Sequence, residues 1–391
     1  MTMLALHLDS VNAQLDALLE LVCAELQLTQ TQYDDATRSY TAVGEFLDRP
    51  GTSLAPFAPT IFPQGSMALG TTNKPRDREE FDVDLVCLLL GLDPTRASPT
   101  AVYEAVLGRL RESDRYRPKL RPKDRCIRID YAGQFHLDVI PACPSRRLGA
   151  PWGELAIVIS DRDRRVWVPT NPRGYALWFR TRAVPAEAYR YAASVEPLPP
   201  NLGLSEKTVL HRIVQLFKRR RDVHFDRNEF APRSILLTTI DGLLYDGEGS
   251  LLKSMTQILD KLVAWGARSN GGGPPIVANP TDPSENLARH WREDHRHFAK
   301  FVEFVLVFQD GMERLRAARG TERIAEILDE LFDPKGSGIV RRAVEAYTAR
   351  FQQSRERCEI GFVPRRSGLV AVAATPQART IRPNTFFGAN Y

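Results

Sequence analysis

The spacing of hydrophobic residues changes near residue 170 of the chain. Before that point, apolar and polar residues alternate in short runs such as FDVDLV (81–86) and FHLDVI (135–140), a period typical of β-strands. After it, apolar residues recur every three or four positions, which predicts helices. We therefore expect an α+β fold, with a mixed sheet and flanking helices in the first part and a helical lobe in the second.

The same pattern predicts the individual elements. In the first part we expect helices over about 4–28, 29–48 and 99–111, a strand over 81–90, a hairpin of CIRIDY and FHLDVIPA around residues 132–134, and a strand pair of ELAIVIS and RRVWVP. In the second part we expect helices over 172–183, 204–222, 233–245, 250–267, 284–317, 320–333 and 335–353. The stretch SNGGGPPIVANPTDPSEN is predicted to be a surface loop, because it is rich in glycine and proline.

Three segments follow from these elements. Residues 1–170 are predicted to hold the N-terminal helices and the catalytic sheet, and residues 171–360 the helical lobe. Residues 361–391 lack clear periodicity and are predicted to be a mobile C-terminal tail. We expect an active site in the cleft between the first two segments.

Composition narrows the class of protein. The chain has 391 residues, 43% of them hydrophobic, which is enough for a sizeable core. The net charge of +5 comes from 53 basic and 48 acidic residues, so a local basic cleft is expected, and stable binding of nucleic acid is not. Five cysteines without a CxxC pair indicate reduced thiols. With neither a signal peptide nor an apolar segment of about 18 residues, we expect a soluble, cytoplasmic protein.

Two aspartates form the first candidate for chemistry. Asp82 and Asp84 occupy alternate positions of one predicted strand, so both point to the face opposite Val83. Carboxylate oxygens are ligands that Mg²⁺ prefers. A pair of exposed aspartates on a strand is common without any function. Here, however, the apolar run LVCLLL follows directly and indicates a buried central strand, where an idle pair would be unfavourable.

A site for two metal ions needs a further carboxylate from a second strand. Asp138 is the first candidate, because it lies in the apolar strand FHLDVI, where a charge is costly unless it is paired or bound to a metal. Asp130 in CIRIDY is the alternative. It lies at a strand end beside a turn, where a solvated aspartate is ordinary, so it ranks second.

A candidate phosphate-binding turn precedes the aspartates. Gly65 permits close approach of the backbone, and Ser66 offers an N–H and a hydroxyl at the predicted start of a short helix. Gln64 adjoins them and is a further candidate for nucleotide binding. The charged loop from Thr71 to Glu80 is expected to be a flexible rim.

A second basic element lies in VLHRIVQLFKRRRD, where four cations occupy positions 218–221 at the end of an apolar helical stripe. The helix dipole accounts for one or two cations near a helix C-terminus, but not for four. We therefore predict that Lys218 contacts a triphosphate. Ser234, at the predicted start of the following helix, is a candidate for a second phosphate contact.

These residues together resemble a known family. The Gly-Ser pair, FDVDLV and HLDVIP are similar to the catalytic core of the cGAS/DncV-like nucleotidyltransferases, which have a polymerase-β-like fold. The resemblance extends over about residues 60–295. Its later parts are WGELAIVIS…WVPTNPRGYALWF, LFKRRRD…FAPRSILLTTI and ANPTDPSENLARHW.

The resemblance implies an activity. Family members join nucleoside triphosphates, here ATP, GTP or both, into cyclic di- or trinucleotides that activate an effector in antiphage (CBASS) defence. It implies that Asp82, Asp84 and Asp138 bind two Mg²⁺ ions, for which Mn²⁺ can substitute, and that residues 64–66, Lys218 and Ser234 bind the nucleotide. It also implies a ubiquitin-like ligation partner that acts on the C-terminus, which ends in FFGANY.

Other functions share the carboxylates. A template-independent RNA nucleotidyltransferase of the poly(A) or CCA-adding type would need a wider basic surface or an RNA-binding module, and neither is evident. Enzymes that transfer AMP onto a protein are generally smaller than this chain. A catalytically silent nucleotide sensor is disfavoured because all three carboxylates are available.

Overall fold

The sheet and the helical lobe expected from the hydrophobic pattern are both present in the computed structural model of the chain, which confirms the α+β fold. The structure describes residues 3–76, 80–145, 153–183, 196–201, 206–268, 273–356, 360–362, 369–371 and 379–380. None of the helices within these ranges combines the length and the apolar character that crossing a membrane requires.

A mixed seven-stranded sheet forms the first part. Its strands are β1 (Pro59–Gln64), β2 (Phe81–Leu89), β3 (Leu120–Pro122), β4 (Ile127–Tyr131), β5 (Phe135–Pro144), β6 (Ile157–Asp161) and β7 (Val166–Thr170). The order is β1-β2-β5-β4-β3, and β6 joins the far end of β5 to β7. Only the β2–β5 pair among these is parallel. The predicted hairpin corresponds to β4 and β5.

The long central strand β5 contacts three neighbours. Its first half lies between β2 and β4, and its second half pairs with β6. Alternate side chains of β2 and β5, from Phe81 and Phe135 onward, point into one hydrophobic core beneath α2 and α4. The opposite face of the same strands therefore carries the aspartates.

The helices are α1 (Met3–Glu25), α2 (Gln30–Leu47), α3 (Gly65–Leu69), α4 (Pro99–Arg111), α5 (Pro172–Ala183), α6 (Val209–Phe225), α7 (Ser234–Leu244), α8 (Leu251–Arg268), α9 (His290–Glu293), α10 (His295–Ala317), α11 (Thr321–Phe332) and α12 (Ile339–Glu356). Most lie within a few residues of their predicted bounds. The largest core cluster is built mainly from α6–α8 and α10–α12 together with α1, so the first helix of the chain packs into the helical lobe.

The single helix predicted over 284–317 is wrong. Residues Asp282–Asn286 form a strand, β9, paired with β8 (Ala278–Asn279), and α9 and α10 follow it. Pro280 and Pro283 disfavour helix in this stretch. The side chain of Asp294 accepts a hydrogen bond from the Arg296 N–H and thereby caps a new helix. The stretch predicted to be a loop thus contains a small hairpin.

The segment predicted to be a C-terminal tail contains three short strands. They are β10 (Ile360–Phe362), β11 (Leu369–Ala371) and β12 (Arg379–Thr380), and they pair with one another. The final segment, FFGANY, lies outside the described residues.

Candidate active site

The three predicted carboxylates lie side by side on one face of the sheet. Asp84 of β2 is the direct partner of Asp138 in the parallel β2–β5 pair. Asp82 lies two positions earlier on β2 and therefore points to the same face. Asp138 is almost buried, whereas the side chain of Asp82 is 56% exposed. The strand pattern thus brings two carboxylates from β2 next to one from β5.

A fourth charged residue, Arg128 of β4, continues the row. It is the direct partner of Asp138 in the antiparallel β4–β5 pair. Its Nε donates a hydrogen bond to Asp138 Oδ1 at 2.8 Å, and one terminal nitrogen donates to Asp138 Oδ2, also at 2.8 Å. The same terminal nitrogen lies 3.1 Å from Asp82 Oδ1. The guanidinium therefore bridges carboxylates from two strands.

Two of the three carboxyl groups have raised pKa values, chiefly because they lose contact with water. The pKa of Asp84 rises from 3.8 to about 7, chiefly because the group is buried and secondly because Asp138 and Asp82 lie close to it. Partial desolvation at the sheet face also raises the pKa of Asp82, whose side chain remains about half exposed, although Arg128 opposes this shift. A site that gathers negative charge at this cost is one that a cation would stabilise.

The donor set fits a hard divalent cation, since it consists of carboxylate oxygens on adjacent strands. Gly65 supports the fit, because a Cβ at that position would overlap Asp84 Oδ2. Within the described residues, however, no three Asp, Glu, His or Cys side chains are gathered closely enough to enclose an ion. The carboxylates share a face, but they would have to turn toward one another to act as a ligand set.

Asp130, the alternative third carboxylate, also points to this face. It pairs with His136 of β5 in the next row of the sheet. Its carboxylate lies 3.3 Å from the imidazole of His136 and 3.4 Å from the guanidinium of Arg121. Asp130 is therefore one strand further from Asp82 than Asp138 is, and this greater separation favours Asp138.

A cavity of about 190 Å³ adjoins the carboxylates. It is lined by all five residues predicted to bind nucleotide: Gln64, Gly65, Ser66, Lys218 and Ser234. Gly65 connects the two parts of the site, because it lines the cavity and also packs against Asp84. Its φ of +67° lies in the left-handed region that favours glycine.

Three hydrogen-bond donors surround this cavity. Ser66 Oγ accepts a bond from the Thr72 hydroxyl, which leaves its own proton available. Ser234, the first residue of α7, likewise accepts a bond from Arg221 at 2.8 Å. Lys218 Nζ donates to the Thr71 carbonyl at 3.0 Å. Burial, followed by the charge of Arg221, lowers the pKa of Lys218 to about 8.

The four consecutive cations of α6 do not act together. Lys218 faces the cavity, and Arg221 supports Ser234. Arg219 is buried on the other side of α6, where its Nε donates to the Phe332 carbonyl at 2.8 Å. Arg220 reaches carbonyls of the same last turn of α11. Half of the basic run therefore caps a helix C-terminus in the interior of the lobe.

The aromatic residues of α5 divide in a similar way. Tyr175 lines the cavity, and its hydroxyl shares a 2.7 Å hydrogen bond with Thr239. Phe179 is fully buried, and Trp178 packs against the same core cluster. Two of the three aromatics of α5 therefore serve the core, and the third also lines the cavity.

The sequence interpretation missed several contacts of the site. Arg128 was overlooked, although pairing 131 with 135 around the hairpin turn places 128 opposite 138. The loop after Ser66 was expected to be a flexible rim, yet residues 71–76 are tied to α6. Gln215 donates to the Thr72 carbonyl at 2.7 Å, and Arg76 donates to the Asp222 carbonyl. No sequence signal identified these contacts.

Comparison with known proteins identifies the family. Residues 11–182 match the Second Messenger Oligonucleotide or Dinucleotide Synthetase domain. The chain is 30% identical to a c-di-GMP synthase of Roseivirga ehrenbergii over 382 residues, which cover 97% of this chain and 99% of the relative. It is 26% identical to the cyclic dinucleotide synthase CdnG of Bradyrhizobium diazoefficiens, over 93% of this chain and 89% of the relative.

A solved structure of one of these relatives has the same fold as this chain. The B. diazoefficiens CdnG structure, determined in complex with GTP, superposes with a TM-score of 0.68 at 25% identity, covering 85% of this chain and 99% of that one. Together with the full-length match to the R. ehrenbergii enzyme, this similarity shows the family. The chain belongs to the cGAS/DncV-like nucleotidyltransferases, enzymes that join nucleoside triphosphates into cyclic oligonucleotides.

Proposed function

We propose that this enzyme joins two molecules of GTP into a cyclic dinucleotide and releases pyrophosphate. The main support is the 30% identity, over nearly the whole of both chains, to a protein named as a c-di-GMP synthase. The similarity to CdnG, whose structure contains GTP, points to the same substrate. ATP is the second candidate, as the other purine nucleotide.

The donor triphosphate lies, in this proposal, in the cavity beside the aspartates. The Ser66 and Ser234 hydroxyls each accept one internal hydrogen bond and have a proton left to donate to phosphate oxygens. Lys218 adds a positive charge and uses one of its three donors on Thr71. Tyr175 offers an aromatic surface in the same cavity against which a base can pack.

Members of this family generally use a divalent metal ion. Asp82, Asp84 and Asp138 are the residues that would hold it, and we propose two Mg²⁺ ions, replaceable by Mn²⁺. When bound, the metal would lower the pKa of the attacking hydroxyl and offset charge on the leaving pyrophosphate. The raised pKa of Asp84 means that this carboxyl has to lose its proton before it can act as a ligand.

The reaction then needs mainly positioning and electrostatic stabilisation. A 2′- or 3′-hydroxyl of the acceptor attacks the α-phosphorus of the donor in line, the new P–O bond forms, and the bond to pyrophosphate breaks. The hydroxyl proton passes to solvent or to a carboxylate of the site. The linear product then reverses its orientation in the cleft, and a second transfer closes the ring with loss of a second pyrophosphate.

Product analysis tests this proposal. The full-length protein is incubated with all four nucleoside triphosphates and Mg²⁺, and the products are identified by mass spectrometry, with and without added RNA. We expect a cyclic dinucleotide that contains guanine and needs no RNA. Nucleotides added only to RNA would instead indicate a tailing enzyme, and the absence of Mg²⁺-dependent pyrophosphate release would indicate a silent sensor.

The biological partners are also proposals. Membership of the family implies a role in antiphage (CBASS) defence, in which the product would activate an effector. A ubiquitin-like ligation partner acting on Tyr391 remains a prediction, because that residue lies outside the described residues. Mass spectrometry of the protein co-expressed with its genomic neighbours tests it, and an unmodified Tyr391 would argue against such a partner.

A further inference from the structure

Arg128 makes contacts with the candidate metal ligands that the reaction scheme does not use. Its guanidinium donates to both carboxylate oxygens of Asp138 at 2.8 Å and to Asp82 Oδ1 at 3.1 Å. Ile127 and Ile129, its neighbours on β4, are fully buried in the opposite core. The arginine is therefore fixed on the catalytic face by the alternation of its strand, and its side chain is only 25% exposed.

These contacts place a positive charge where a divalent cation would need to bind. A metal ion held by Asp82 and Asp138 would need the carboxylate oxygens that the guanidinium of Arg128 already contacts. The metal ion and the guanidinium would also repel each other if both contacted the same carboxylates. Within the described part of the chain, no three Asp, Glu, His or Cys side chains are close enough together to hold a metal ion. Arg128 lies between two of the three aspartates, Asp82 and Asp138.

We propose that Arg128 is an internal competitor of the divalent cation: it holds Asp82 and Asp138 as their counter-ion, and it must give up Asp82 before metal can bind. Arg128 is thus a positioning residue that sets the metal concentration the enzyme needs. The inference rests on the proposed role of Asp82 and Asp138 as metal ligands, and the experiment below separates the failure of one from the failure of the other.

The direct test measures Mn²⁺ binding to the full-length protein without nucleotide. The electron paramagnetic resonance signal of free Mn²⁺ reports how much of the ion is bound. Arg128→Gln removes the competing charge, so we expect it to bind Mn²⁺ about tenfold more tightly than the wild type. Arg121→Gln is the matched control. It removes the same charge from β3, where Arg121 contacts Asp130 and not the candidate ligands, and we expect a change of less than about twofold.

A second readout follows thermal unfolding with and without Mn²⁺. Removing Arg128 leaves the carboxylates without a counter-ion, so the variant should unfold at a lower temperature than the wild type in the absence of metal. Saturating Mn²⁺ should raise its Tm more than that of the wild type. If Arg128→Gln does not fold, Arg128→Lys carries the test. It keeps the charge but loses the two-pronged contact, and it should bind Mn²⁺ about threefold more tightly.

The outcomes are distinct. Equal or weaker Mn²⁺ binding by both Arg128 variants, with normal binding by the wild type, would overturn the competition while leaving the metal ligands in place. If neither the wild type nor any variant bound Mn²⁺, the assignment of the ligands would fail and the competition with it. Tighter binding by the Arg128 variants but not by Arg121→Gln supports the proposal.

Discussion

The acidic strand and the basic helix of the candidate site use their charges in different ways. On β2, Asp82 and Asp84 are two positions apart and share one face with Asp138 of β5. On α6, the adjacent cations diverge: Lys218 lines the cavity, whereas Arg219 is buried against the last turn of α11. A strand returns every second residue to one face, but a helix turns each successive residue by about 100°.

This difference decides how much of a charged run is functional. In the strand, spacing alone identifies which residues act together. In the helix, a dense run mixes residues of the site with residues of the interior. Positive charges on α6 therefore have different partners: Lys218 donates to the Thr71 carbonyl beside the cavity, whereas Arg219 donates to the Phe332 carbonyl of α11.

The largest effect is expected from the strand. Asp82→Asn combined with Asp84→Asn removes two of the three carboxylates that would hold the metal, so product formation should fall by about a thousandfold or more. Radiolabelled triphosphates separated by thin-layer chromatography measure the loss, and circular dichroism checks that the fold is intact. Asp130→Asn is the matched control and should lose less than about tenfold. Wild-type turnover in the double variant would end the assignment.

A slightly smaller effect is expected where the two parts of the site meet. In Gly65→Ala, the new Cβ would overlap Asp84 Oδ2, and we expect a loss of activity of about a hundredfold or more. Gly133→Ala provides the comparison. Its φ of +77° is also left-handed, but a Cβ there meets no atom within 4 Å, so the variant should lose only about 1 kcal/mol of stability. Equal activity of the two variants would contradict the close contact at Gly65.

The divergence on α6 predicts opposite defects for neighbouring residues. Lys218→Met should reduce kcat/KM for the triphosphate by about 10- to 100-fold, because one charge-assisted contact is lost, while stability changes less. Arg219→Met should instead lower the free energy of unfolding by about 2–4 kcal/mol, because the Phe332 carbonyl and Asp333 lose a buried partner.

Steady-state kinetics and urea unfolding measure both α6 variants. Activity per folded molecule should be nearly normal for Arg219→Met. If both substitutions impaired catalysis alike without affecting stability, the four cations would form one binding patch and the division would be wrong.

A further expected effect is a pH dependence of stability that belongs to the acidic face. The pKa of Asp84 in the folded protein is about 7, above its ordinary 3.8, so between these values the folded state binds more protons than the unfolded state. In EDTA, the free energy of unfolding should therefore decrease as pH rises from about 4 to about 7, by up to ~1.4 kcal/mol per unit from this group. Asp84→Asn should abolish this contribution in urea titrations at several pH values, whereas Asp130→Asn should keep it.

The sequence predicted the strand half of the site better than the helix half. The alternation around Asp82, Asp84 and Asp138 was sufficient to place them on one face, because strand geometry leaves few choices. Lys218 and Ser234 both line the cavity, and their contacts with a triphosphate remain predictions. The roles of the cations next to Lys218 were not predicted. Those depend on where α11 packs against α6, which no local pattern encodes.

Other features were missed for identifiable reasons. The register of the β4–β5 hairpin is sufficient to place Arg128 opposite Asp138. The sequence pattern around Arg128, a cation between Ile127 and Ile129, does not by itself indicate this ion pair. The helix expected from residue 284 fails because residues 282–286 pair with β8 as a strand, and the Asp294 cap separates the short helix α9 from α10. The contacts of residues 71–76 with α6 join positions more than 140 apart and required the structure.

Diffraction from crystals grown with Mn²⁺ and a nonhydrolysable GTP analogue tests the central claim most directly, because the anomalous signal locates the metal. We predict Mn²⁺ between Asp82, Asp84 and Asp138, and the triphosphate against Gly65, Ser66, Lys218 and Ser234. Metal bound instead at Asp130, or a triphosphate that avoids this cavity, would contradict the account.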